Sequence, residues 1–243
     1  MALHLSQDPV VVMQIQSTKG AGTDRLKILV YGASGAGKTT LAKTTPDHAE
    51  TLIISAEGGL LSLADVDIPF VDITAAGDPM QSLSDTYWTL REQPHPYRWL
   101  FIDSISELAE VCLADALKSN ADGRAAYGAL ATTMKQWVKA FRDLPVHVVM
   151  TAKEDRVKTT DGLLYGPDMP GKQLTQGLPY FFDEVFALRI VGDPDDGGLG
   201  RWLQTGRDQT HDAKDRSGKL SLWEPANLAH IHRRICGTDT EPT

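Results

Sequence analysis

Gly32-Ala33-Ser34-Gly35-Ala36-Gly37-Lys38-Thr39 constrains this chain more than any other stretch. Its spacing of glycines, lysine and threonine suits a loop that cradles a phosphate chain between a strand and a helix. The apolar run Ile28-Leu29-Val30-Tyr31 supplies the strand, and Thr40-Leu41-Ala42-Lys43-Thr44 reads as the first turns of the helix. Glycines at 32, 35 and 37 are expected to allow the backbone angles that turn successive N–H groups inward, with no Cβ in the way. The helix N-terminus adds partial positive charge behind the same anion. Lys38 then reaches the β- and γ-phosphates, the Thr39 hydroxyl ligates Mg²⁺, and Thr40 completes the expected contacts. A glycine-rich turn without function is the alternative. The full motif predicts a nucleoside triphosphate site, with ATP and Mg²⁺ as its expected ligands.

The rest of the composition fits that expectation. A chain of 243 residues suits one α/β domain better than two small ones. Hydrophobic and charged shares of 42% and 23% are ordinary for a globular chain. No apolar run reaches the length of a membrane span, so no membrane partner is expected. Met1 to Ser6 lacks the pattern of a signal peptide. Cys112 and Cys236 lie far apart, without paired zinc-ligand spacing, and the simplest reading is a disulfide-free cytoplasmic protein. A net charge of −8 argues against coating nucleic acid through overall charge. Local basic clusters remain: Lys153, Arg156 and Lys158; Lys214, Arg216 and Lys219; His230, His232, Arg233 and Arg234. Each is either a nucleic-acid contact or a solvated face.

Strand and helix patterns alternate, as in a mostly parallel sheet covered by helices on both faces. Strands are expected at Val10 to Gln16, Thr51 to Ser55, Phe70 to Ile73, Trp99 to Asp103, Val146 to Thr151, Glu184 to Val191 and Arg201 to Thr205. Lys19 to Gly22 reads as a turn, and Asp193 to Gly200 as a turn between two strands. Tyr127, Leu130, Met134, Trp137, Val138 and Phe141 recur at helical spacing, which predicts an amphipathic helix whose aromatic residues pack in the core. The expected division is an N-terminal extension over 1–25 (a strand, and a candidate oligomerisation arm), one domain over 26–235 and a tail over 236–243. A late antiparallel strand extension completes that α/β domain.

Two carboxylates stand at strand ends. Asp103 closes Trp99-Leu100-Phe101-Ile102, where a carboxylate can hold Mg²⁺ beside the nucleotide. Glu57, in Ser55-Ala56-Glu57-Gly58-Gly59, lies where a parallel sheet opens its ligand crevice. It is the candidate base for an attacking water, or else a helix N-terminal charge ahead of Leu60 to Leu63.

Together the phosphate loop, the strand ending Asp103-Ser104 and Ser55-Ala56-Glu57 resemble the RecA-like core of P-loop ATPases. Within it the chain is most similar to compact phage ATPases related to Sak-type single-strand annealing and recombination proteins, over roughly residues 26 to 220. The resemblance implies a RecA-like fold, ATP hydrolysis with Mg²⁺, Glu57 as catalytic glutamate, a homo-oligomer (ring or filament), single-stranded DNA as partner, and a host-cytoplasmic protein. A single-strand-binding protein is a further implied partner. The family's polar sensor, commonly Asn-Gln, is replaced here by Thr151-Ala152-Lys153, with Thr151 or Lys153 as substitutes.

The resemblance further implies that Lys118 to Arg124 and Glu154 to Tyr180 are loops along the DNA path. Arg124, Arg156, Lys158 and Lys172 would neutralise the backbone there, with Tyr165 interleaved for stacking and an Asp161-Gly162 hairpin signal between them. A lid over the nucleotide is the alternative. Lys214 and Arg216 match the spacing of a late Lys-x-Lys pair that enters the neighbouring protomer's nucleotide site, against the alternative of surface cations. The functional expectation is a RecA-like recombination ATPase. Other classes left open are a small-molecule phosphotransferase and a nucleotide-gated assembly protein with little turnover.

Overall fold

The structure is a computed structural model that describes residues 25–119, 122–159, 162–192 and 198–237. The expected strand at Val10 to Gln16, the turn at Lys19 to Gly22, and most of the N-terminal extension and C-terminal tail lie outside these residues, as do Asp161 and Asp193 to Gly197.

The phosphate-loop strand β1 (Lys27–Tyr31) sits in the middle of the sheet. Around it lie β2 (Thr51–Ser55), β3 (Phe70–Asp72), β4 (Trp99–Asp103), β5 (His147–Thr159), β6 (Gly162–Asp168), β7 (Glu184–Gly192), β8 (Leu199–Gln204), β9 (Lys214–Asp215) and β10 (Trp223–Pro225). The main order is β10-β8-β7-β1-β5-β4-β2-β3. The pairs from β7 through β1, β5, β4 and β2 to β3 are parallel, whereas β8, β9 and β10 join antiparallel. One strand therefore separates β1 from β4, and the phosphate loop and Asp103 both leave the carboxyl end of the sheet. That end is where open parallel sheets bind ligands.

The central strands are buried on both faces, which explains their unbroken apolar runs. On one face pack α1 (Pro79–Glu92), α2 (Ile105–Ser119), α3 (Gly123–Arg142) and the short α4 (Lys172–Gly177). On the other lie two 3₁₀ turns (Thr39–Thr44 and Leu61–Leu63) and α5 (Leu228–Cys236). Local sequence sets the helix ends. Asp78 accepts from the N–H groups of Met80 and Gln81 ahead of Pro79, Asn227 caps α5 through His230 N, and Gly237 ends α5 in the left-handed region.

Three expectations change. The segment after the phosphate loop is a six-residue 3₁₀ turn rather than the start of a long α-helix, so a macrodipole behind the phosphates contributes little. β5 runs past Thr151 to Thr159 and pairs antiparallel with β6, from Lys153 opposite Asp168 to Thr159 opposite Gly162, so this part of the expected Glu154 to Tyr180 loop is paired strand, in line with the Asp161-Gly162 hairpin signal. Lys118 and Arg124 belong to the adjoining ends of α2 and α3, with Asp122 capping the latter, so little of the expected Lys118 to Arg124 loop remains. Within α3, Leu130, Met134, Val138 and Phe141 are buried as expected, whereas Tyr127 is half exposed.

Candidate functional site

The phosphate loop runs from the end of β1 into the 3₁₀ turn, and Ala36 N donates to Ala33 O at 3.2 Å to close its tip. Gly35 and Gly37 have φ of +75° and +101°, angles that side chains rarely adopt. Gly32 is glycine for a different reason than expected: its φ is ordinary, but a Cβ there would lie 2.6 Å from the carbonyl oxygen of Leu188 in β7. Ala33, Ser34 and Gly35 are exposed at the tip, Ala36 is buried, and Lys38, Thr39 and Thr40 are half-buried.

Lys38 Nζ folds back onto the carbonyls of Gly32 and Ala33, at 2.7 and 3.0 Å. Burial holds its pKa below the usual lysine value, while the carboxylates of Glu57, Asp103 and Glu154 act in the opposite direction. Glu154 was missed as a site residue because it reads as one charge in a mixed run. Burial raises its carboxyl, and His211 Nε2 lies 3.7 Å from it.

Asp103 is 3% exposed at the end of β4. Its Oδ2 accepts from Thr39 Oγ1 and its Oδ1 from Thr151 Oγ1, each at 2.5 Å. Burial pushes its carboxyl above the ordinary value, and both hydroxyl donors and Lys38 resist that shift. Thr151 is thus tied to the aspartate. Lys153, the other sensor candidate, pairs with Glu107 instead. Glu57 is exposed beyond the end of β2, and its Oε1 accepts from Ser104 Oγ at 2.7 Å. Register explains the meeting: Ser55 pairs with Asp103, so the residues that follow both strands emerge together.

The remaining candidates lie elsewhere. Lys214 pairs with Val185, and Arg216 follows at the amino-terminal end of β7, below the level at which the phosphate loop leaves β1. Lys214 Nζ donates to the carbonyls of Pro179 and Phe182, and Arg216 to Asp183 Oδ1 at 2.6 Å. Arg124 and Lys172 open α3 and α4. Arg156 lies over the ring of Tyr165 at 5.3 Å, and His211 stacks on that ring at 5.0 Å. Tyr165 is thus half-buried, with both neighbours drawn from its own chain. Tyr180 is the exposed aromatic of that segment, at 80%. With Lys158, Gln176, Arg207 and Lys214 it lines a cavity of about 640 Å³. In the third basic cluster Glu224 binds His230 and Arg234, His232 packs against Trp99 and His147, and Arg233 is exposed.

A central parallel sheet, a glycine loop with its lysine and threonine, and a strand-end aspartate touching that threonine define a P-loop nucleoside-triphosphatase core. Residues 24–217 match the sequence profile of a family described as an AAA domain, and the chain belongs to that family. No curated protein gives a significant match to the chain. Among the described residues, no helix is long and apolar enough to cross a membrane.

Proposed function

We propose that this protein is a Mg²⁺-dependent ATPase of the RecA-like recombination type that works on single-stranded DNA. The observation that carries the nucleotide part is the Thr39–Asp103–Thr151 chain of hydroxyl, carboxylate and hydroxyl beside Lys38. Mg²⁺ favours a few hard oxygen ligands and shares itself with phosphate oxygens. A threonine hydroxyl and a carboxylate already in contact fit that chemistry, and Thr39 and Asp103 would hold the ion. Bound there, it would neutralise charge on the β- and γ-phosphates.

The chain's own groups do the rest. Lys38 exchanges two loop carbonyls for phosphate oxygens, which offer it a charged partner. Glu57 orients and deprotonates water. Ser104 holds one of its oxygens, and among the described residues nothing else hydrogen-bonds Glu57, so the second oxygen is available.

Single-stranded DNA is supported by the cavity in which Lys158, Arg207 and Lys214 surround the exposed ring of Tyr180. Cations for the backbone beside an aromatic face suit sequence-tolerant binding. Arg124, Arg156 and Lys172 extend the same role in this proposal. Lys214 and Arg216 are assigned a second task in a homo-oligomer, contributing charge to a neighbour's triphosphate. A single-strand-binding protein is a proposed partner, and the host cytoplasm the proposed compartment.

ATP turnover with and without single-stranded DNA tests the reading. Stimulation by DNA is the expected result. Turnover that responds to a small-molecule acceptor instead would make the protein a phosphotransferase, and nucleotide binding without turnover would make it an assembly switch.

A further inference from the structure

One cation touches the phosphate loop from outside its motif. Arg201 lies in β8 beside Ile190 of β7, and its Nε donates to the carbonyl of Ala36 at 3.0 Å. The side chain lies directly over the next residue: a Cβ built on Gly37 would meet Nε at 2.7 Å and Cδ at 3.0 Å. Gly37 therefore serves two ends at once, a φ of +101° and room for this arginine.

A trans peptide points its C=O and N–H in opposite directions. Holding the Ala36 carbonyl from one side fixes the Gly37 N–H on the other, and that N–H is one of the donors a phosphate loop needs. A guanidinium carries five donors, of which this contact uses one. Among the described residues no hydrogen bond or ion pair engages the rest. Lys214 and Arg216, by contrast, are bound to their own chain below the level of the loop.

We propose that Arg201 is a positioning residue of this site, supplied in cis by β8, whose Nε locks the Ala36–Gly37 peptide so that the Gly37 N–H faces the polyphosphate. The inference rests on the nucleotide reading above and adds a residue that the motif does not contain. It also gives nucleotide occupancy a direct mechanical link to the antiparallel β8–β10 edge, because the residue that holds the loop belongs to that edge.

The test compares wild type, Arg201→Ala, Arg201→Lys and Lys38→Ala in equilibrium titrations with ATP, ADP and inorganic tripolyphosphate, alongside thermal melts of the nucleotide-free proteins. Arg201→Ala is expected to weaken ATP and tripolyphosphate binding about tenfold, the loss of one aligned N–H donor to a charged phosphate oxygen. ADP should lose affinity with them, Arg201→Lys should recover part of it, and the nucleotide-free melting temperature should fall only slightly, because one hydrogen bond is lost there too. Unchanged affinity in Arg201→Ala would overturn the proposal. A lowered melting temperature with unchanged affinity would overturn it too, leaving Arg201 a strap between β8 and the loop. Failure of the nucleotide reading looks different, since wild type itself would then bind no better than Lys38→Ala.

Discussion

Replacing Thr151 by valine keeps the shape of a fully buried side chain and removes one hydroxyl. That hydroxyl donates to Asp103 Oδ1 at 2.5 Å, and Asp103 is 3% exposed, so water has little access to replace it. A hydrogen bond to a charged group contributes roughly 1.5–3 kcal/mol, and one between neutral groups about 1 kcal/mol. Asp103 keeps its other donor, Thr39, which places the expected loss near the middle of the charged range, about 2 kcal/mol. The loss must depend on pH. Burial raises the Asp103 carboxyl in the folded state, and the Thr151 donor works against that rise. Without it the folded value climbs further. A raised folded value gives stability that is complete below the unfolded value and lost as pH rises through the folded one. The variant's deficit should therefore be about 1 kcal/mol at a pH on the acid side of the raised Asp103 value and about 2 kcal/mol at a pH on its alkaline side. Urea unfolding of the nucleotide-free protein, followed by the fluorescence of its 5 tryptophans, reads both values. An equal deficit at the two pH values, or none, would refute the charge-assisted contact.

His147 should govern acid stability: burial first, then His232, lowers its imidazole to about 3, so stability is lost as pH falls below the ordinary histidine value toward that figure. The full loss approaches roughly 4 kcal/mol, and His147→Gln should flatten the acid limb of a pH–stability curve; an unaltered limb would refute the assignment. Glu184 should govern the alkaline side, because burial and then Asp215 raise its carboxyl to about 8, so stability falls as pH rises through that value. Glu184→Gln should abolish that fall in thermal melts, and its persistence would count against the pair. For Lys214 and Arg216, specific ATPase activity should rise with protein concentration, and the double alanine variant should lose turnover while still binding nucleotide. Concentration-independent activity that survives both substitutions would mean that each protomer hydrolyses alone.

Much of this was legible because the signals are local. The phosphate loop, Asp103 and the central strands are written as short apolar runs ending in a chemical residue, and parallel register brings those ends to one edge. Thr151 was visible as the end of its strand, though its tie to Asp103 depends on β5 lying beside β4. Arg201 was not visible as a site residue. Its approach to Ala36 spans 165 positions and depends on β8 folding back antiparallel on β7. Tyr165 is a related case: spacing showed a tyrosine among cations, and only tertiary contact showed Arg156 and His211 against its ring. The 3₁₀ turn after Lys38 has helical composition, yet it stops at Thr45, which is extended.

The hydrolysis of saturating MgATP by Glu57→Gln, with nucleotide binding measured on the same preparation, tests the central claim most directly. Among the described residues the Glu57 side chain hydrogen-bonds Ser104 alone, and it is exposed, so the fold should survive the change. Expected is wild-type ATP affinity with turnover reduced about a hundredfold or more, the size of a general-base contribution. Turnover equal to that of wild type would contradict the account, because water would then be activated without the carboxylate that follows the end of β2.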